Sequence, residues 1–116
     1  MNFWNHLESQ AQWEDLIEKS KQIPVLVLKH STRCSISVMA LDRLNRGWKA
    51  GMENRISPWY LDLLNFREIS NRIAADTGVE HQSPQLLLLK DGRCIKAESH
   101  QAVRLDPFLE VVEKGS

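Results

Sequence analysis

Cysteine is scarce in this chain. Cys34 and Cys94 are the only two, too few for the disulfide framework of a small secreted domain. Long hydrophobic runs are missing too. The longest candidate, Leu86–Leu89, falls far short of the roughly 18–20 residues of a membrane span, so no membrane association is expected. The opening MNFWNHLESQ has no basic stretch followed by an apolar one, the pattern of a secretory leader. A reducing, cytoplasmic setting is therefore expected, where thiols are more often reactive or inert than paired. Excess charge of one sign is absent as well. Fifteen Lys and Arg balance fifteen Asp and Glu for a net charge of zero, which argues against nucleic-acid binding, normally marked by a basic excess. There are no internal repeats, low-complexity segments or linkers. No phosphate loop, paired-carboxylate site or metal-ligand spacing occurs, and His6 and His81 are scattered, so no metal is expected.

What is present reads as one domain over residues 1–116, with 42% apolar residues sufficient for a packed core. Ser9 and Gln12 form a capping box ahead of a helix carrying Trp13, Leu16 and Ile17 on one face. Pro24 ends that region. Val25–Leu28 is a continuous apolar run, the mark of a strand covered on both faces. From Ser35 the period becomes helical. Ile36, Ala40, Leu44 and Trp48 form a stripe widened by Met39 and Leu41, and the helix ends near Gly47 or Gly51. Ile56–Leu64 reads as a second strand. Asn65 and Glu68 form a second capping box, opening a helix with Ile69, Ile73 and Ala74 inward that stops at Gly78. A third strand, Gln85–Lys90, turns through Asp91-Gly92 into an antiparallel fourth, Arg93–Ser99. A last helix runs from Leu105 or Asp106 to Glu113. Two parallel strands joined through a helix, then a hairpin and a closing helix, give an α/β thioredoxin-like fold. The expected sheet is four-stranded and mixed, with helices on both faces.

Chemistry concentrates at Cys34, between the first strand and the second helix. Free backbone N–H groups and the positive helix end favour a thiolate there. Lys29, His30 and Arg33 make the neighbourhood electropositive, and the Ser35 and Ser37 hydroxyls are candidate donors to the sulfur. The thiol is expected to be acidified. Position 37, where a second cysteine would create a dithiol motif, is Ser, so exchange must run through a mixed disulfide with an outside thiol. Cys94 is no substitute. Five strand residues at about 3.3 Å each put it about 16 Å or more from the Cys34 end, whereas a disulfide needs Cα atoms within about 7 Å. Thioredoxin folds place a cis proline at the start of the third core strand, so that resemblance implies a cis Ser83-Pro84 peptide facing Cys34. Ser99 and His100 return to the same end, where His100 reads as a surface histidine.

KHST before the cysteine, CSIS at the site, YLDLLNFREISNRIA, and HQSPQLLLLKDGR followed by SH resemble the monothiol bacilliredoxin family over most of the chain, from about Val25 to His100. The family's site usually reads Thr-Cys-Pro-Ile-Ser. Here Arg33 and Ser35 stand at the Thr and Pro positions. The resemblance implies a thiol–disulfide oxidoreductase with no bound cofactor. Bacillithiol, a low-molecular-weight thiol carrying a malate, would be its co-substrate, and Cys34 would remove it from S-thiolated client proteins. A second bacillithiol or a disulfide reductase would regenerate the site. Lys29, Arg33, Ser83 and Pro84 are the expected substrate contacts by fold logic, with Ser35 and Ser37 beside the sulfur. Alternatives are a non-catalytic thioredoxin-fold interaction module and a monothiol glutaredoxin-like iron–sulfur carrier.

Overall fold

Strand β2 (Val25–His30) has all six residues buried, as a continuous apolar run covered on both faces requires. The computed structural model describes residues 3–114; the outermost positions of the expected 1–116 domain lie outside them. Around β2 the chain runs β1 (Asn5–His6), α1 (Gln10–Lys19), β2, α2 (Ser35–Gly47), a 3-10 turn (Met52–Asn54) and β3 (Ser57–Asp62). Then come α3 (Arg67–Thr77), β4 (Gln85–Lys90), β5 (Arg93–Ser99), a second 3-10 turn (His100–Ala102) and α4 (Leu105–Lys114).

The sheet order is β1-β3-β2-β4-β5. β1, β3 and β2 are parallel, while β4 runs antiparallel to β2, and β5 antiparallel to β4. Strand parity divides the core in two. Leu26 and Leu28 join Ala40 and Leu44 of α2 and Leu105 and Phe108 of α4 on one face. Val25 and Val27 join Trp13 and Leu16 of α1 and Ile69 and Ile73 of α3 on the other. Two helices thus cover each face.

The sheet has five strands rather than the expected four. The extra one is β1, only two residues long, paired to Trp59 and Tyr60 of β3 and extended by a Leu7 N–H bond to the Tyr60 carbonyl (2.9 Å). Asn5 and His6 are both exposed, so no apolar pattern marks the strand. It is held by backbone bonds between buried Trp4 and Leu7.

Two further expectations fail at helix starts. In α2 the buried arc is Ser37, Ala40 and Leu44, whereas Ile36 and Met39 are 37% and 62% exposed. The polar Ser37 takes the inward position that an apolar stripe would assign to Ile36. In α3 the cap residue is Phe66, with no side-chain cap bond, one residue later than the expected Asn65, whose Nδ2 donates to Asp62 Oδ2 (2.7 Å). By contrast, the Ser9–Gln12 box forms in full. The hairpin forms on Asp91 (φ 54°) and Gly92 (φ 79°), the two left-handed positions that favour an Asp-Gly turn.

Candidate active site

β2 delivers the chain to Ser31, and a short turn, closed by a Cys34 N–H bond to the Ser31 carbonyl (3.2 Å), sets Cys34 as the N-cap of α2. The sulfur belongs to a partly exposed residue at the helix end whose N–H groups lack intrahelical partners. The Ser37 backbone N–H is the main group drawing the thiol below its ordinary value. The Ser37 hydroxyl and the Ile36 N–H assist, and partial burial opposes them. Acidification here comes from hydrogen bonding to the charged form.

Ser37 is fully buried, and its Oγ lies 3.3 Å from Ser83 Oγ. One hydroxyl therefore ties the thiol turn to the segment entering β4. The Ser83–Pro84 peptide is cis, and the Pro84 carbonyl accepts from the His100 N–H (3.0 Å). Cys34, Ser37, Ser83 and Pro84 thus meet at one end of the sheet. Arg33 and Ser35 flank the thiol and are exposed. Ser35 is not among the groups acidifying the sulfur; helix geometry turns Ser37 toward it instead.

Lys29 is a correction. It cannot contact a substrate at Cys34, because its side chain is fully buried on the opposite face of the sheet, the parity shared by Val25 and Val27. Its Nζ donates to the Ser70 carbonyl of α3 (3.1 Å) and reaches His81 Nδ1 at 3.5 Å, which also lies 3.1 Å from Ser70 Oγ. Burial lowers the Lys29 pKa to about 8. Burial, then the Lys29 and Arg67 charges, push His81 down. His81 therefore joins a part-buried polar cluster with Lys29 and Ser70.

His30, one residue along, has the opposite parity and lies on the α2 face. It is 2% exposed, with its ring centroid 5.2 Å from that of Tyr60. In the sequence it reads only as nearby positive charge. Strand alternation carried the missing signal: following Leu26 and Leu28 inward puts His30 beneath the thiol turn and Lys29 on the far side.

Cys94 sits at the other end of the sheet. It pairs with Leu89, which pairs with Val25, while Lys29 pairs with Gln85. Both thiols are free. Cys94 Sγ donates to the Lys96 carbonyl (3.3 Å), and burial raises its pKa.

A nucleophilic thiol with no resolving partner in reach is therefore what this arrangement offers. The family profile described as "Monothiol bacilliredoxin BrxC" matches residues 5–107. One solved structure, described as a candidate oxidoreductase with a thioredoxin fold, is 32% identical over 93% of this chain and 91% of its own, with a TM-score of 0.77. Malassezia sympodialis thioredoxin (12% identity, 96% and 89% covered, TM-score 0.74) and Fasciola hepatica thioredoxin (15%, 97% and 99%, 0.72) share the fold.

Proposed function

The chain belongs to the monothiol bacilliredoxin family, and from that membership we propose that it removes bacillithiol, or a similar low-molecular-weight thiol, from mixed disulfides on client proteins. The observation that carries this reading is the acidified Cys34 with Ser37, rather than a second cysteine, three residues on. The Cys34 thiolate attacks the small-thiol sulfur of the mixed disulfide. A new S–S bond forms, the old one breaks, and the client thiolate leaves and takes a proton from water. A second bacillithiol thiolate then attacks the capping sulfur, releasing bacillithiol disulfide and restoring the Cys34 thiolate. A disulfide reductase supplies the two electrons that return bacillithiol disulfide to thiol.

In this reading no cofactor is resident, and the work is done in a reducing cytoplasm. Arg33, exposed beside the thiol, meets the malate carboxylates of bacillithiol by charge and bidentate hydrogen bonding. Ser83 and Pro84 border the docked disulfide. The test is mass spectrometry of Cys34 after separate incubation with bacillithiol disulfide and glutathione disulfide. A bacillithiol adduct confined to Cys34 and reversed by added thiol is expected. If neither disulfide modifies Cys34 the proposal is overturned, and equal modification by both would remove bacillithiol as the preferred thiol. Arg33→Ala should slow the bacillithiol reaction selectively; an unchanged rate ends the malate assignment.

A further inference from the structure

His30 takes no part in the exchange steps above, yet it occupies the space beneath the thiol turn. Its ring lies against the backbone of Ser37, the same residue whose N–H and hydroxyl act on the Cys34 sulfur. Across the sheet its register partner is Asp62 of β3. Buried His30 Nδ1 and Asp62 Oδ1 both lack a hydrogen-bond partner among the described residues, and the other Asp62 oxygen is taken by Asn65. Buried polar atoms are almost always bonded, so two unpaired atoms on facing residues call for an explanation. One is an acceptor and the other becomes a donor when the imidazole carries its proton there.

We propose that His30, paired across the sheet with Asp62, is a positioning residue for the reactive thiol and acts on Cys34 through the Ser37 turn that both touch. It rests on Cys34 being the nucleophile of the proposed reaction. Two effects follow. The ring supports the first turn of α2 from below, keeping the Ser37 donors aimed at the sulfur. Its charge is also coupled to the sulfur: an imidazolium beneath Ser37 favours the thiolate, and a thiolate favours the imidazolium.

The groups facing His30 set its balance. Asp62 and Tyr60 come from β3, with His6 of β1 behind Tyr60 at 5.6 Å between ring centroids. Cys34 and Ser37 come from α2. The β4 residues at this level, Gln85 and Leu86, are uncharged. Burial lowers the His30 pKa, while the Asp62 charge and the Ser37 backbone bond raise it, leaving it below its ordinary value. His30 is mainly neutral at pH 7 and gains its proton on acidification, which props up the thiolate where it would otherwise be lost.

The test is the pH dependence of Cys34 alkylation by iodoacetamide in a Cys94→Ser background, which needs no bacillithiol and so can fail independently of the proposed reaction. The unsubstituted His30 protein should show two inflections. His30→Phe should leave one, moved upward; below the thiol pKa each unit of upward movement slows alkylation by about tenfold. Asp62→Asn, which keeps the shape and removes the charge, should move only the lower inflection to lower pH, an effect that loss of packing alone does not produce. Should His30→Phe fail to fold, the Asp62→Asn profile decides. Profiles of the folded variants that superimpose on the parent would overturn the proposal.

Discussion

Cys34 and Cys94 are partly buried thiols on the same small sheet, one at each end, and their surroundings push them in opposite directions. At the Cys34 end a helix begins, so N–H groups and the Ser37 hydroxyl converge on the sulfur and lower its pKa. At the Cys94 end the thiol lies within a strand, where burial dominates and raises it. The contrast extends to the core beneath. Lys29, His30, Ser31, Ser37 and Gln85 are all buried toward the Cys34 end, whereas the Val25 end buries the small hydroxyls of Ser20 and Ser57 beside Val25, Leu88 and Leu89. Thiol acidity therefore follows from where on the fold a cysteine falls, and the Cys34 end carries buried ionisable groups that a core built for stability alone would omit.

The largest test of this contrast removes each thiol in turn. Cys34→Ser should abolish release of bacillithiol from an S-bacillithiolated protein, followed by intact-protein mass spectrometry, while Cys94→Ser leaves the rate within about twofold. In the native protein, limiting iodoacetamide should label Cys34 first. Labelling of Cys94 at an equal rate would break the comparison at its root.

Next comes the stability cost of the buried charge. Lys29 has an ordinary pKa of 10.5 and a folded value of about 8, so between those values the unfolded chain binds more protons than the folded one. Stability from this group must therefore rise with pH from about 8 to 10.5 and be at its lowest below about 8. The size at neutral pH is about 3 kcal/mol. Lys29→Met, similar in length and uncharged, should raise the urea midpoint at pH 7 and flatten its climb above pH 8. A midpoint that still climbs equally in the variant assigns the effect to another group.

A smaller effect is expected at Ser37. Ser37→Ala keeps the backbone N–H, the larger influence on Cys34, and loses both the hydroxyl donor and its link to Ser83. Alkylation of Cys34 at pH 7 should slow by about three- to tenfold as the thiol pKa rises and the thiolate fraction falls. An unaltered pH profile would leave the thiol's acidity to the helix backbone alone.

The sequence made the reactive end legible in outline and its interior only in part. Cys34 at a strand-to-helix junction, Ser37 in place of a second cysteine, and Ser83-Pro84 opposite them were all readable, because each depends on local order along the chain. The Asp91-Gly92 hairpin was readable for the same reason. What escaped depends on rotation and parity. Lys29 and His30 are neighbours in sequence with opposite fates, and only the alternation inherited from Leu26 and Leu28 separates them. Ile36 belongs inside by hydrophobicity, yet it is Ser37 that turns inward, with its hydroxyl at Cys34 and Ser83. β1 left no trace because two exposed residues paired through their backbones carry no side-chain pattern. Asn65 matches a capping motif, but the helix starts one residue later, with Phe66 at the cap position.

The smallest prediction asks whether the two ends are independent. Gly92 has φ of 79°, and a Cβ there would meet only Lys21 Cε at 3.8 Å and Ile17 Cγ2 at 3.9 Å, which are ordinary contacts. The penalty for Gly92→Ala is then the left-handed backbone itself, about 1 kcal/mol. Part of the turn is held by bonds the substitution keeps: Asp91 N–H to the Ser20 carbonyl (2.8 Å) and Gly92 N–H to Ser20 Oγ (2.9 Å). The variant should therefore fold with a slightly lower urea midpoint while Cys34 alkylates at the parent rate. A stability loss accompanied by slower alkylation of Cys34 would mean that strain at the hairpin reaches the thiol turn through β4, whose other end begins beside Pro84, and that the two ends of the sheet act as one unit.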